Sequence, residues 1–274
     1  MTTIPFEPRR FRSTADYYGR YRVPYPPALI ASVAQRVGLR PGDRVLDLGC
    51  GPGILALAFA RLGMAVTAMD PEPEMLTAAR AAASEAGLDI AITEGSSYDL
   101  GPALGRFRLV TMGRSFHWMD RPATLVALDA LIEPDGAVAL FHDEKVVATP
   151  DWPRPLGELS ERFSPVRSET RRAKARGAAD WKRHEVVLLE SPFSSVEKRS
   201  VVFRQTLTAD EIVGRAYSMS VTSPEALGDN GPAFEAELRG ALAAMAPDGR
   251  FDEVVEAVAV LAFRPAGAAR PILA

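Results

Sequence analysis

The sequence predicts an α/β fold built on a seven-stranded, mostly parallel sheet with helices on both faces. Three observations carry this. Short runs that are apolar throughout alternate with stretches of helical periodicity over residues 27–143. Glycines follow the helical stretches at Gly38, Gly63 and Gly87, where helices stop. A glycine-rich turn joins the first apolar run to the next helix in "VLDLGCGPG", Val45 to Gly53.

In order, Pro27–Val37 reads as a helix closed by Gly38, and Arg44–Leu48 as a buried strand. Ile54–Leu62 is an apolar helix, Ala65–Met69 a second strand and Glu74–Ala86 a helix. Asp89–Thr93 and Phe107–Met112 are the third and fourth strands. Arg121–Ile132 is a helix with Asp120 as its N-cap. Pro134-Asp135-Gly136 reads as a turn before a fifth strand, Ala137–Phe141. The alternation then breaks. Residues 145–192 hold Pro150, Pro153, Pro155, Pro165 and Pro192 and the basic stretch "RSETRRAKARGAADWKR", which predicts an insertion lying over the sheet. Ser195–Phe203 and Glu256–Phe263 supply two more strands, with helices between them. The expectation is one domain: an N-terminal lid (1–26), a core (27–144), a cap (145–192) and a return to the core (193–274).

Composition narrows the function classes. The 274 residues are 47% hydrophobic and 24% charged, with a formal net charge of −3. No global positive field favours nucleic acid or an anionic membrane. Cys50 is the only cysteine, so an intrachain disulfide framework and a cysteine-based zinc cluster are excluded. Three histidines scattered along the chain do not suggest a metal site. The N-terminal stretch lacks the apolar core of a secretory signal, and no apolar run reaches the roughly 18–20 residues of a membrane span. The expectation is a cytoplasmic protein, monomer or homodimer.

The glycine turn fits neither the dinucleotide spacing G-x-G-x-x-G nor the triphosphate spacing G-x-x-x-x-G-K-[ST]. Gly49, Gly51 and Gly53 are too close together, and no lysine follows. Asp47 stands at the strand end beside the turn, where a carboxylate repels a pyrophosphate and suits an ammonium group. Asp70 ends the second strand, 23 positions beyond Asp47. An acid about 20 residues past such a turn is where α/β nucleotide sites hold ribose hydroxyls. Glycines, an acid for a cation and an acid for a ribose describe a site for a nucleoside joined to an amino acid, S-adenosylmethionine. The bland alternative is that both acids only cap strand ends.

"VLDLGCGPG" followed by "AVTAMDPEPEML" resembles motifs I and II of the class I S-adenosylmethionine-dependent methyltransferases, which have a Rossmann-like fold. The likeness continues through "TEGSSYDL", "FRLVTMGRSFHWMD" and "ALIEPDGAVALFHD", and "YGRYRVPYP" and "SFHWMD" point to a type 11-like subgroup acting on small molecules. The resemblance implies that Gly49, Gly51 and Gly53, with Cys50 in their turn, pack against the methionine moiety near Asp47. Asp70 and Pro71 would serve the ribose, and Met75, Ser96 and Ser97 the adenine. Ser96 departs from the family, where many relatives have Asp. Tyr17, Tyr18 and Tyr21 would belong to a lid, with Tyr17 and Tyr21 toward the cofactor and Tyr18 toward the substrate. Gly113, Ser115, Phe116, His117 and Trp118 would line the junction of cofactor and substrate.

For catalysis the candidates are His117, His142 and Asp143. A neutral imidazole at His117 can take a proton from the acceptor, or the residue is only a loop anchor. Cys50 reads as a small hydrophobe and His184 as surface or cap structure. The basic stretch is either a solvated helical face or a patch for an anionic substrate. Trp152, Phe163 and Trp181 flank it and wall an apolar pocket or pack the cap; Trp152 is taken as a substrate-side residue. The function expected is methyl transfer to an oxygen or nitrogen of a small molecule, with an anionic or secondary metabolite among the acceptors considered. The alternatives are a non-methylating protein that binds the same cofactor and a macromolecule methyltransferase.

Overall fold

The computed structural model describes residues 11–165 and 181–265. Strand β1 (Arg44–Leu48) shows how the sheet is built. Val45 enters one apolar layer while Leu46 and Leu48 enter the other, and all three are fully buried. Around it stand β2 (Ala65–Asp70), β3 (Ala91–Glu94), β4 (Phe107–Gly113), β5 (Ile132–Thr149), β6 (Ser195–Leu207) and β7 (Phe251–Phe263). The order is β3-β2-β1-β4-β5-β7-β6; the first five run parallel, and β7 is antiparallel to both β5 and β6. The order reverses between β1 and β4, so the carboxyl ends of β1, β2, β4 and β5 share one edge at the switch point.

Helices α2 (Pro27–Val37), α3 (Ile54–Arg61) and α4 (Pro73–Glu85) bury Leu29, Val33, Phe59 and Leu76 in the first layer with Val66, Leu109 and Phe141 of the sheet. Helix α5 (Arg121–Leu131) buries Leu125 and Leu128 in the second, against Val110 and Val138. Asp120 caps α5 as expected, accepting from the Ala123 N–H at 3.2 Å.

The expected elements of the first half are all present, most of them within a residue or two. Three features differ. The Pro134-Asp135-Gly136 turn is an excursion inside β5: three residues of β4 (Phe107 to Leu109) face six of β5 (Ile132 to Ala137). Strand β5 also continues past Phe141 to Thr149, because β7 pairs with it as far as Asp252. The polar stretch after Phe141 gives no strand signal alone; the partner strand makes it one. Third, the cap draws on two parts of the chain. Helix α6 (Pro153–Phe163) packs with α8 (Ala209–Tyr217), α9 (Pro224–Leu227) and α10 (Gly231–Met245) from the β6–β7 connection, burying Leu156, Ile212, Phe234 and Leu238. Helix α7 (His184–Leu189) instead joins the second layer through Val187 and Leu188.

Trp152 is 0% exposed in this cap core, with the Lys145 ammonium 4.0 Å from its ring centre. It is a packing residue of the cap and not a wall of the substrate site. Its size is what fills the space between α6, α8 and β7. Within the basic stretch, Arg162 pairs with Glu237, Lys182 with Glu190 and Arg183 with Glu185. These exposed pairs fit a solvated face; Arg167, Arg171, Arg172, Lys174 and Arg176 lie outside the described residues.

The N-terminal helix α1 (Ala15–Tyr21) rests on α8. Tyr21 covers Gly214 so closely that a Cβ there would lie 2.5 Å from the ring, and Tyr17 meets Tyr217 at 5.3 Å. Among the described residues, no helix is long and apolar enough to cross a membrane, and no group of three His, Cys, Asp or Glu side chains is placed to hold a metal ion.

Candidate active site

The turn after β1 is stitched to β2 by its own backbone. The N–H groups of Gly49 and Cys50 both donate to the Met69 carbonyl, at 2.8 and 3.0 Å. Gly49, Gly51 and Gly53 have φ of +68°, +54° and +85°, a region that costs glycine little and other residues more. Gly49 has a second requirement, since a Cβ would lie 2.6 Å from Ser115 Cβ. Gly53 is the N-cap of α3 and packs on Ala79, behind the ligand-facing surface.

Asp70 is oriented by this turn, and Asp47 by β4 and α3. Asp70 accepts from the Gly51 N–H at 2.8 Å and the Glu72 N–H at 2.9 Å. Burial raises its carboxyl against those two bonds. Asp47 is 1% exposed. Its oxygens accept from Thr111 Oγ1 at 2.9 Å and the Ala56 N–H at 3.0 Å. Burial pushes its carboxyl up to about 7, the two hydrogen bonds hold it down, and Asp70 adds to the rise. Asp47 borders a recess of about 20 Å³ shared with Tyr18, Tyr25, Cys50 and Gly113. That is room for one water or one ammonium group. Burial pushes the Cys50 thiol well up, as befits a small hydrophobe.

Above the turn lies a cavity of about 480 Å³, a volume typical of small-molecule sites. One end holds Gly49, Gly51, Asp70, Pro71, Met75, Ser96 and Ser97. Ser96 donates to Asp99 at 2.7 Å and accepts from the Tyr98 N–H at 3.2 Å, leaving one lone pair on its hydroxyl. The other end holds Gly113, Ser115, Phe116, His117, Trp118, Phe141, His142 and Asp143. Ser115 donates to the Leu48 carbonyl at 2.9 Å, which ties the loop after β4 to the end of β1. His142 Nε2 lies 3.3 Å from Glu144. The N-terminal segment contributes Phe11 and Tyr18, with Phe11 edge-on to Trp118 at 5.4 Å. Tyr17 and Tyr21, expected at the cofactor, face the cap helix α8 instead, because α1 presents only the Tyr18 side to the cavity.

Four features were not anticipated. Arg114 is half-buried with φ +57°, a conformation that a side chain disfavours. It donates to Asp143 at 2.5 Å and to the Val23 carbonyl at 2.7 Å, so Asp143 is an ion-pair partner that fixes Arg114 and not a free base. Arg22 lines the cavity over the Tyr18 ring and donates to the Ser218 carbonyl at 3.0 Å; its Nε has no partner among the described residues, and burial lowers its pKa. His184, expected at the surface or in the cap, lines the cavity from the cap side. Met219, Ser220 and Val221 reach in from the loop after α8. Arg22 and Arg114 sit inside the quoted motifs "YGRYRVPYP" and "MGRSFHWMD", which was the available signal. Nothing local marks His184 or the 219–221 loop.

The family described as a methyltransferase domain matches residues 45–136. An uncharacterized methyltransferase of Mycobacterium bovis is 29% identical over 78% of this chain and 79% of its own length. A ubiquinone biosynthesis O-methyltransferase of Xanthomonas campestris is 40% identical over 42% of this chain and 48% of its own length. Among solved structures, a putative type II methyltransferase from Anaeromyxobacter dehalogenans covers 89% of this chain and 98% of its own, with TM-score 0.54 and 19% identity, a likeness of fold. The switch-point cavity, the motif I turn and these relatives agree: residues 45–136 form a methyltransferase domain, and the chain is similar to methyltransferases beyond it.

Proposed function

We propose that the protein moves a methyl group from S-adenosylmethionine to an oxygen or nitrogen of a small, anionic acceptor. The observation that carries this is one continuous cavity with an acid-and-glycine end and an aromatic, histidine-bearing end. The residues fit the cofactor. Asp70 spends one lone pair per oxygen on backbone N–H groups, so others remain for ribose hydroxyls. The recess beside Asp47 suits the ammonium group. When bound, the cofactor supplies an electrophilic methyl group on a sulfonium.

The chain's part is then alignment, exclusion of water and proton handling. Phe116, Trp118 and Phe141 form an apolar wall against which a flat acceptor packs. Phe11 and Tyr18 cover the cavity from the lid side. Arg22 makes no ion pair among the described residues, Asp143 acting on it only at longer range, and its unpartnered Nε–H favours an anionic group on the acceptor. His117 is the proton acceptor. The name of the Xanthomonas relatives supports oxygen as the atom methylated.

The test is incubation with methyl-labelled cofactor and a panel of small acids, phenols and amines. Labelled product and S-adenosylhomocysteine are expected with oxygen-bearing anions. Tight cofactor binding without turnover on any of them would overturn the reading. His117→Ala should lower turnover more than cofactor affinity.

A further inference from the structure

His184 opens α7 on the cap side of the cavity. Its ring meets Phe116 edge-on at 5.2 Å and lies nearly parallel to His117, 6.4 Å away at 22°. Trp181 packs beside it at 6.2 Å. Behind it stands Arg121, the first residue of α5, whose guanidinium sits 4.0 Å from the centre of the Trp181 ring. Arg121 Nη1 donates to the Lys182 carbonyl at 2.7 Å and lies 3.2 Å from His184 Nδ1.

That last contact fixes the chemistry of the ring. A guanidinium has hydrogens to give and no lone pair to receive. The nitrogen it meets must therefore be the acceptor. An imidazole that accepts at Nδ1 is neutral and keeps its single proton on Nε2. No protein group meets Nε2 among the described residues.

We propose that His184 determines which acceptor is taken: its Nε2–H, set by Arg121, donates a hydrogen bond to an oxygen of the methyl acceptor and never removes a proton from it. This rests on the cavity being a methyltransferase substrate site. It divides the two stacked imidazoles by role, His117 handling the proton and His184 only giving a hydrogen bond. An acceptor that offers a carboxylate, carbonyl or phenolate oxygen at this point is selected. One that offers an ammonium group is rejected, because two donors face each other.

The surroundings keep the ring neutral. Burial and the Arg121 charge lower its pKa to about 4, with Glu185 opposing and His142 assisting. Among the described residues, His117 also faces it.

The test is nitrogen-15 spectroscopy of the full chain labelled at histidine, between pH 5 and 8, with and without S-adenosylhomocysteine. His184 should show a proton-free Nδ1 and a protonated Nε2 at every pH. In Arg121→Met the ring should titrate at a midpoint nearer the ordinary value of about 6.5. Benzoate serves as the oxygen probe. It should shift the His184 Nε2–H signal, and His184→Phe should weaken it about tenfold with cofactor affinity unchanged. His184→Gln, which retains an N–H donor, should recover most of that loss. A ring protonated near pH 6.5, a proton on Nδ1, or benzoate that leaves Nε2–H unmoved would each overturn the proposal. Failure of S-adenosylhomocysteine to bind would count against the cavity assignment instead, since the tautomer is read without it.

Discussion

Asp47 and Asp70 are both held by hydrogen bonds from the turn and strands around them, yet burial raises both carboxyl groups. For Asp47 the folded value is about 7, against roughly 3.9 for an exposed aspartate. The sign follows. Stability from the protonated acid is complete below the unfolded value and is lost as pH rises to about 7, then stays level. Asp47→Asn should therefore raise the melting temperature of the ligand-free protein at pH 8 more than at pH 4. A cationic ligand group favours the ionised acid, so S-adenosylhomocysteine affinity should climb with pH below about 7, by at most roughly tenfold per unit. Calorimetry should find this slope flattened in Asp47→Asn. Asp70→Asn turns an amide N–H₂ toward the N–H of Gly51 or Glu72 and removes the charge offered to a diol. Affinity should fall tenfold or more, an order of magnitude set by charged hydrogen bonds; unchanged affinity would remove Asp70 from the cofactor site.

The elements that position these acids were legible because their cues are local. Asp120 caps α5 in sequence and in space. Thr208 and Glu211 form a reciprocal capping box that starts α8. Other element bounds depend on partners distant in sequence. Strand β5 is long only because β7 lies beside it. Helix α8 is held to the sheet by Arg215, which donates to Glu253 of β7 at 2.5 Å; Glu253 is 0% exposed at its side chain. Removing one member of such a pair strands a buried charge. Glu253→Ala should cost about 3–5 kcal/mol in denaturant unfolding, while exposed Lys182→Ala should cost less than about 1 kcal/mol despite its own pair with Glu190. Arg215 also donates to the Tyr21 carbonyl at 3.3 Å, so Glu253→Ala should speed proteolysis at the end of α1 as well.

At the scale of the molecule, the cavity is where lid, sheet edge and cap meet, and Arg22 marks the junction. It follows α1, rests on Tyr18 and reaches the Ser218 carbonyl past α8. Arg22→Leu should raise KM for a carboxylate-bearing acceptor about tenfold or more and change kcat less. An equal effect on an uncharged acceptor would assign the loss to lid docking instead. The sequence by itself determined most of the sheet, its helices and the glycine turn with its two acids. Those features rest on period-two and period-3.6 burial and on one turn whose glycines and acids are neighbours along the chain. Only the tertiary structure decided the acceptor end. It sent Trp152 into the cap core, turned Tyr17 and Tyr21 away, and bound Asp143 to Arg114. It also brought His184 and Ser220 into the lining of the cavity. The physical reason is that these assignments depend on which side chain fills which space between segments far apart in the chain, and no residue's neighbours in sequence carry that information.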